Sequence, residues 1–161
     1  MRTSLLSAPA AGYPLFLGGA LCALFGLLAV GEAHGATRWE TLEAIHNVEN
    51  PHDRQAPGPK GELGPYQFRL ETWRMYSHRP FSAALERDAS DAVAVRHYEW
   101  LRTALERNGF EPSVYNIALA WNAGIGAVTN GRAPRVSRDY AARVENIAGE
   151  LARRRQVAET H

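Results

Sequence analysis

One glutamate stands where a helical pattern calls for an apolar residue, and it is the first candidate for chemistry. Leu42, Ile45 and Glu49 follow at i, i+3 and i+7, so they share one face of a helix that Pro51 must end. Glu49 therefore lies toward the core, at a helix C-terminus where the dipole disfavours negative charge. Both effects raise the pKa of a carboxyl group. A carboxyl that keeps its proton near neutral pH can act as a general acid.

The same helix has a polar face, which carries Glu40, Glu43 and Asn47 and which we assign to solvent. A plainer interpretation of Glu49 is a partly exposed side chain at a frayed helix end. The elements around it therefore have to decide whether a cleft is built there.

Helical signals dominate the chain that follows. Residues 50–65 hold four prolines and three glycines, which predicts a loop. A short helix is predicted within 66–76, and a turn opens at Pro80. Ser90 is a candidate N-cap for a longer helix that ends at Gly109.

The run Val114–Trp121 is apolar on every side except Asn116, which predicts a buried central helix. Ser137 is the predicted cap of a last helix, whose apolar stripe is Tyr140, Val144, Ile147 and Leu151. No run of period two appears, so the sequence predicts an all-α single domain. We place that domain at residues 36–155, followed by a C-terminal tail at 156–161.

Composition limits the function classes. The 161 residues are 45% hydrophobic with a formal net charge of +1, which suits one domain with a core. Such a balanced charge excludes a basic footprint for nucleic acid. We expect a monomer.

The N-terminal segment predicts export. Residues 14–30 are almost wholly apolar, and Ala33 and Gly35 fit cleavage before Ala36, so residues 1–35 are a candidate signal peptide. The apolar run is also at the short limit for spanning a membrane, so an uncleaved anchor is the alternative. Either interpretation places the domain in the periplasm or outside the cell. Cys22, the only cysteine, lies within this segment, so the exported domain has no disulfide framework.

Four segments, taken in order, resemble the soluble lytic transglycosylase (SLT) domain of the lysozyme-like superfamily. They are Glu49-Asn50, then GELGPYQF at 61–68, ALAWNAG at 118–124 and RDYAARV at 138–144. The family pattern is roughly E-S, G-A-x-G-L-M-Q, A-x-x-Y-N-A-G and a late Y-V-x-x-V. The chain departs from it at Asn50 for Ser, at Glu62 for a small residue, at Pro65-Tyr66 for Leu-Met and at Trp121 for Tyr.

The resemblance implies a lysozyme-like fold and cleavage of the β-1,4 bond between N-acetylmuramic acid and N-acetylglucosamine in peptidoglycan glycan strands. Glu49 matches the family's single catalytic acid, and no metal or cofactor is implied. In such enzymes the muramoyl O6 hydroxyl closes a 1,6-anhydro ring, so no water is consumed. The remaining motif positions are assigned to substrate binding: Asn50, Tyr66, Gln67, Asn122 and Tyr140. The late tyrosine is also implied to touch the catalytic carboxyl.

Other chemistries stay open at this point. An ordinary glycosidase needs a second carboxylate, and the candidates are Asp53 and Glu62 in the loop after Glu49. With such a partner the chain would be a lysozyme-type hydrolase. A protein that grips peptidoglycan with little catalysis is a third interpretation. A metal site at His46 and Glu49 is not expected, because no second helix offers a matching ligand pair.

Overall fold

Helices are the only regular elements in residues 36–160, which are the residues that the structure, a computed structural model, describes. In chain order they are α1 (Arg38–Glu49), α2 (Leu70–Tyr76), a 3₁₀ turn (Phe81–Leu85), α3 (Arg87–Arg107), α4 (Val114–Ala123), α5 (Ile125–Thr129) and α6 (Arg135–Glu159). The predicted all-α class is confirmed. The predicted signal peptide or anchor at 1–35 lies outside the described residues.

No helix within residues 36–160 is both long enough and apolar enough to cross a membrane. The helix α5 was not predicted, because it is a single short turn directly after Gly124, where the sequence indicates only a break.

The helix α4 lies at the centre of the fold, as its apolar sequence predicts, and it contacts α1, α3, α5 and α6. Its residues Ile117–Ala120 are all buried, so a full turn is enclosed. The Ser113 hydroxyl accepts a hydrogen bond from the backbone N–H of Asn116, which caps the N-terminus of the helix. This central packing carries the C-terminal end of α4 to the site described below.

The helix α6 packs along both α4 and α1. Its buried residues are Ser137, Tyr140, Ala141, Val144, Ala148 and Ala152. Ile147 and Leu151 of the predicted stripe are only half-buried. With 3.6 residues per turn, the face that begins at Tyr140 and Val144 continues through Ala148 and Ala152. The helix runs on to Glu159, so most of the predicted tail continues the helix.

Two predicted helix caps are wrong. The helix α3 begins at Arg87 with Glu86 as its N-cap, and Ser90 is fully buried within the helix. Its first residues are largely exposed and polar, so they carry no apolar signal of a helix start. The helix α6 begins after Pro134, and Ser137 is buried in its first turn instead of capping it.

The assignment of Glu40 to solvent is also wrong, because its side chain is fully buried. Its carboxylate accepts hydrogen bonds from the backbone N–H and the hydroxyl of Thr37, and Arg155 of α6 approaches it to 2.8 Å. Burial raises the pKa of Glu40, but the Thr37 hydrogen bonds and the Arg155 charge outweigh it, so the net pKa is lowered. The pattern along α1 alone could not show that α6 covers this face.

Candidate active site

Glu49, the last residue of α1, meets Tyr140 of α6 at the edge of the core. The Tyr140 hydroxyl donates a 2.8 Å hydrogen bond to Oε1 of Glu49, which is the contact implied by the resemblance. Burial raises the pKa of Glu49; the Tyr140 hydrogen bond lowers it and the nearby Glu62 charge raises it, so that it lies at about 7. Burial and the neighbouring carboxyl also raise the pKa of Tyr140, which therefore stays a donor. Glu49 is thus a carboxyl group that holds its proton near neutral pH.

A cleft of about 590 Å³ opens in front of this carboxyl group. Its walls come from α1, the loop before α2, α2 itself, α3 and the end of α4. The residues that line it are Glu49, Pro59, Lys60, Glu62, Tyr66, Gln67, Phe68, Arg69, Thr72, His97, Trp121 and Asn122. Of the predicted site residues, the cleft therefore brings together Glu49, Glu62, Tyr66, Gln67 and Asn122. Tyr140 is 7% exposed and supports Glu49 without lining the cleft.

The loop GELGPYQF forms one wall because it folds back on itself. Leu63 and Phe68 exchange two backbone hydrogen bonds of 3.0 Å each. Gly64 has a φ of +78° and lies so close to the 3₁₀ turn that a Cβ there would be 1.8 Å from the carbonyl oxygen of Ala84. Gln67 adopts a φ of +46°, and its side-chain amide donates to the Gly64 carbonyl at 2.9 Å. The loop therefore fixes the Gln67 side chain at the cleft.

Tyr66 is the floor of the cleft and not an open stacking platform, although the resemblance assigns it to substrate binding. It is only 3% exposed, and its hydroxyl donates a 2.7 Å hydrogen bond to Asp91. Its ring packs in tilted contact against Phe68 and Trp121. Trp121 is half-buried and also lines the cleft, so it is the more accessible aromatic surface.

Asn50 does not line the cleft, because its amide is used to hold the loop after α1. Its Oδ1 accepts the backbone N–H of Arg54 at 2.9 Å, and its Nδ2 donates to the Arg54 carbonyl at 3.0 Å. A longer contact of 3.4 Å joins Nδ2 to the Gly64 carbonyl. Asn50 is 3% exposed, so it positions the loop and has no free surface for a substrate.

Of the two candidate second carboxylates, one lies outside the cleft and the other lines it. Asp53 lies outside the cleft, and its Oδ1 is 2.8 Å from Nε2 of His46. Arg87 donates to Nδ1 of His46 at 3.0 Å, so the other ring nitrogen carries the hydrogen that faces Asp53. His46 thus joins α1 to α3 and to the loop. Within the described range no group of three His, Cys, Asp or Glu side chains could hold a metal ion.

Glu62, in contrast, lines the cleft with Glu49. Its Oε2 accepts the backbone N–H of Lys60 at 2.8 Å, and its Oε1 is 3.7 Å from Nε of Arg69. Partial burial raises the pKa of Glu62, but the backbone N–H donors and the Arg69 and Lys60 charges outweigh it, so the net pKa is lowered. The cleft therefore holds two carboxyl groups whose pKa values are displaced in opposite directions.

Sequence reasoning missed His97 of α3, which lines the cleft. Burial lowers its pKa to about 4, so the ring is neutral at neutral pH. Its Nδ1 is 3.1 Å from the Tyr76 hydroxyl, and its ring makes a T-shaped contact with Trp121, with ring centroids 4.7 Å apart. His97 lies three residues after Ala94 on the buried face of α3, so that periodicity could have found it. Lys60, Arg69 and Thr72 were also missed, since loop and helix-end positions carry no periodic signal.

No protein-family model, curated protein or solved structure matches the chain. The site presents a carboxyl group with a pKa of about 7, which accepts a hydrogen bond from Tyr140, in a cleft with one accessible indole and two side-chain amides. This arrangement suits proton donation to an ether-like oxygen of a hydroxyl-rich chain.

Proposed function

We propose that the chain is an exported peptidoglycan lytic transglycosylase with a lysozyme-like fold and Glu49 as its single acid and base. The observation that carries this proposal is the half-buried Glu49 carboxyl, with a pKa of about 7, which accepts a hydrogen bond from Tyr140 at the cleft. An acid with its pKa near the working pH can both donate and recover a proton. The order of the four SLT-like segments supports the same conclusion.

The proposed reaction uses Glu49 twice. Its carboxyl first protonates the glycosidic oxygen, and the bond to the muramoyl C1 breaks with its electron pair leaving on that oxygen. The Glu49 carboxylate then takes the proton of the muramoyl O6 hydroxyl as O6 bonds to C1. The product is a 1,6-anhydro sugar, and neither water, metal nor cofactor enters. The Tyr140 hydrogen bond stabilises the carboxylate between the two steps.

The other cleft residues would hold the glycan strand. Gln67 and Asn122 supply side-chain amides that suit the hydroxyl and acetamido groups of amino sugars. Trp121 offers an apolar face on which a sugar ring can stack. Glycan strands are the proposed partner, and one copy of the domain contains every residue the reaction needs.

A lysozyme-type hydrolase is the second candidate, because Glu62 shares the cleft with Glu49. A carboxylate there could serve as the base for a water molecule. However, Glu62 accepts the Lys60 amide and lies near Arg69, and its lowered pKa makes it a weak base. This electrostatic environment favours the mechanism with a single acid.

Mass spectrometry of the muropeptides released from sacculi tests the proposal. We expect 1,6-anhydro ends from the wild-type protein, whereas reducing ends would support the hydrolase. Glu49→Gln should lower release by roughly 10²–10⁴-fold, the contribution of a general acid, with an unchanged circular dichroism spectrum. The matched control is Glu145→Gln, at an exposed glutamate of α6. Binding to sacculi without any release would leave only a wall-binding protein, and an unchanged rate for Glu49→Gln would sink the assignment.

A further inference from the structure

Two cations line the cleft near Glu62, and neither is used by the proposed reaction. Lys60 is exposed in the loop before α2, and Arg69 is the N-cap of α2 with a side chain that is 55% exposed. Glu62 is the one carboxylate of the cleft near them, so two positive charges face a single negative one.

Glu62, the one carboxylate close to Lys60 and Arg69, does not occupy all of their hydrogen-bond donors. Glu62 lies 3.7 Å from Nε of Arg69, which is too long for a hydrogen bond, and its other oxygen is taken by the backbone N–H of Lys60. Within residues 36–160, neither Nζ of Lys60 nor the guanidinium of Arg69 donates a hydrogen bond, and the ion pair that Arg69 makes is the 3.7 Å contact with Glu62. The guanidinium fork and the ammonium are therefore available to a ligand.

The remaining titratable groups of the cleft leave this positive charge in excess. His97 is neutral above its pKa of about 4. Glu49 keeps its proton below a pKa of about 7. Below neutral pH the cleft therefore has two cations against the single charge of Glu62, and it attracts an anionic group on the bound chain.

We propose that Lys60 and Arg69 form a carboxylate subsite, which rests on the proposed function and makes the substrate an anionic glycan strand. The carboxylates of such a strand have two sources, the lactyl ether of muramic acid and the peptide stems attached to it. A guanidinium pairs with a carboxylate through two parallel N–H donors, and the ammonium adds a point charge. The subsite selects carboxylate-bearing strands over neutral ones.

Steady-state kinetics of the full chain on sacculi test the subsite. We expect Lys60→Gln and Arg69→Gln each to raise KM about fivefold to tenfold with kcat unchanged, as for a partly exposed charge pair. Amidation of the sacculus carboxylates with carbodiimide and ammonia should raise the wild-type KM similarly and abolish the difference between wild type and variants. The matched control is Arg107→Gln, at an exposed arginine at the far end of α3.

Lys60 is the only lysine of the sequence, so it can also be modified selectively. Acetylation with an amine-reactive ester should raise the KM of the wild type and leave the KM of Lys60→Gln unchanged. Since both proteins have the N-terminal amine, this difference assigns the effect to Nζ of Lys60. Strands stripped of peptides by an amidase keep the lactyl carboxylate alone. A KM penalty that survives on them assigns the subsite to the lactyl group, and one that disappears assigns it to the stems.

Two results would overturn the subsite: an unchanged KM in both variants, or a penalty of equal size on amidated sacculi. Absence of any release by the wild-type protein would instead refute the proposed function. In that case cosedimentation of the full chain with native and amidated sacculi still tests the subsite. Binding that depends on the carboxylates and on Lys60 supports it, and binding indifferent to both refutes it.

Discussion

The Tyr140 hydroxyl donates to Oε1 of Glu49 at 2.8 Å, across 91 positions of sequence. This bond joins the last helix to the end of the first, and it opposes the burial that raises the pKa of Glu49. A hydrogen bond to the charged form favours that form, whereas burial favours the neutral one. The pKa of about 7 is the balance of these effects, so changing either one should move the pH dependence of the reaction.

Removal of the donor in Tyr140→Phe should raise the pKa of Glu49 above about 7, because only the bond that stabilises the carboxylate is lost. The protonated acid then persists to higher pH, so the alkaline limb of kcat/KM should move upward. The rate at the optimum should fall roughly 10-fold or more, since the carboxyl loses its orientation. A pH–rate profile measures both effects. In Tyr115→Phe, whose hydroxyl makes no hydrogen bond within residues 36–160, the limb should stay in place. A limb that moved downward in Tyr140→Phe would contradict this balance.

Glu62→Gln should move the same limb the other way. The charge of Glu62 raises the pKa of Glu49, so its removal should lower that pKa below about 7 and shift the alkaline limb downward. Anhydro-ended products should persist, because Glu62 is not needed by a single acid. Both the pH–rate profile and the product masses are measured for Glu62→Gln. Two results together would instead make Glu62 the base of a hydrolase. The wild-type protein would release products with reducing ends, and Glu62→Gln would release no products.

The sequence predicts the fold class well because helical periodicity is local. The apolar run of α4 is sufficient to place it at the centre, and the position of Glu49 on the apolar face of α1 indicates that its side chain is partly buried. The fate of Glu40 could not be predicted in this way, because it depends on Arg155 more than a hundred residues away.

The candidate site also contains residues that a local motif predicts and residues whose position depends on tertiary packing. Gln67 and Asn122 lie in short motifs, and the structure brings them to the cleft. Asn50 and Asp53 are equally polar and close to Glu49 in sequence, but loop geometry directs them to Arg54 and His46. His97 reaches the cleft only because α3 packs beside α4. Which polar side chain faces the cleft is thus decided by tertiary packing.

The raised pKa of Glu49 should also make the free energy of unfolding depend on pH, independently of catalysis. The folded-state pKa of Glu49 is raised from 4.5 to about 7, so between these values the native state holds a proton that the unfolded chain has lost. The contribution of Glu49 to stability is therefore most favourable below pH 4.5, falls as pH rises, and levels off above about 7. Glu49→Gln removes this pH dependence. Its free energy of unfolding relative to that of the wild type should therefore rise by roughly 1–3 kcal/mol from acid to alkaline pH. Urea unfolding at pH 5 and pH 8 measures the gain. The exposed Glu145 provides the control variant, Glu145→Gln, and a constant difference between Glu49→Gln and wild type at both pH values would refute a raised pKa.

Gly64 and Gly61 provide a matched pair for the loop that forms the cleft wall. Their φ angles are +78° and +81°, so alanine introduces the same backbone strain at both, about 1–2 kcal/mol. They differ in space, because a Cβ at Gly64 would lie 1.8 Å from the Ala84 carbonyl oxygen, whereas a Cβ at Gly61 meets nothing within 4 Å. Gly64→Ala must push the loop off the 3₁₀ turn and should cost roughly 1–3 kcal/mol more than Gly61→Ala. Urea unfolding of the two variants measures the difference, and equal losses would show that the loop is not held against the turn. Since the Gly64 carbonyl also anchors Gln67, only the first variant should displace that side chain from the cleft.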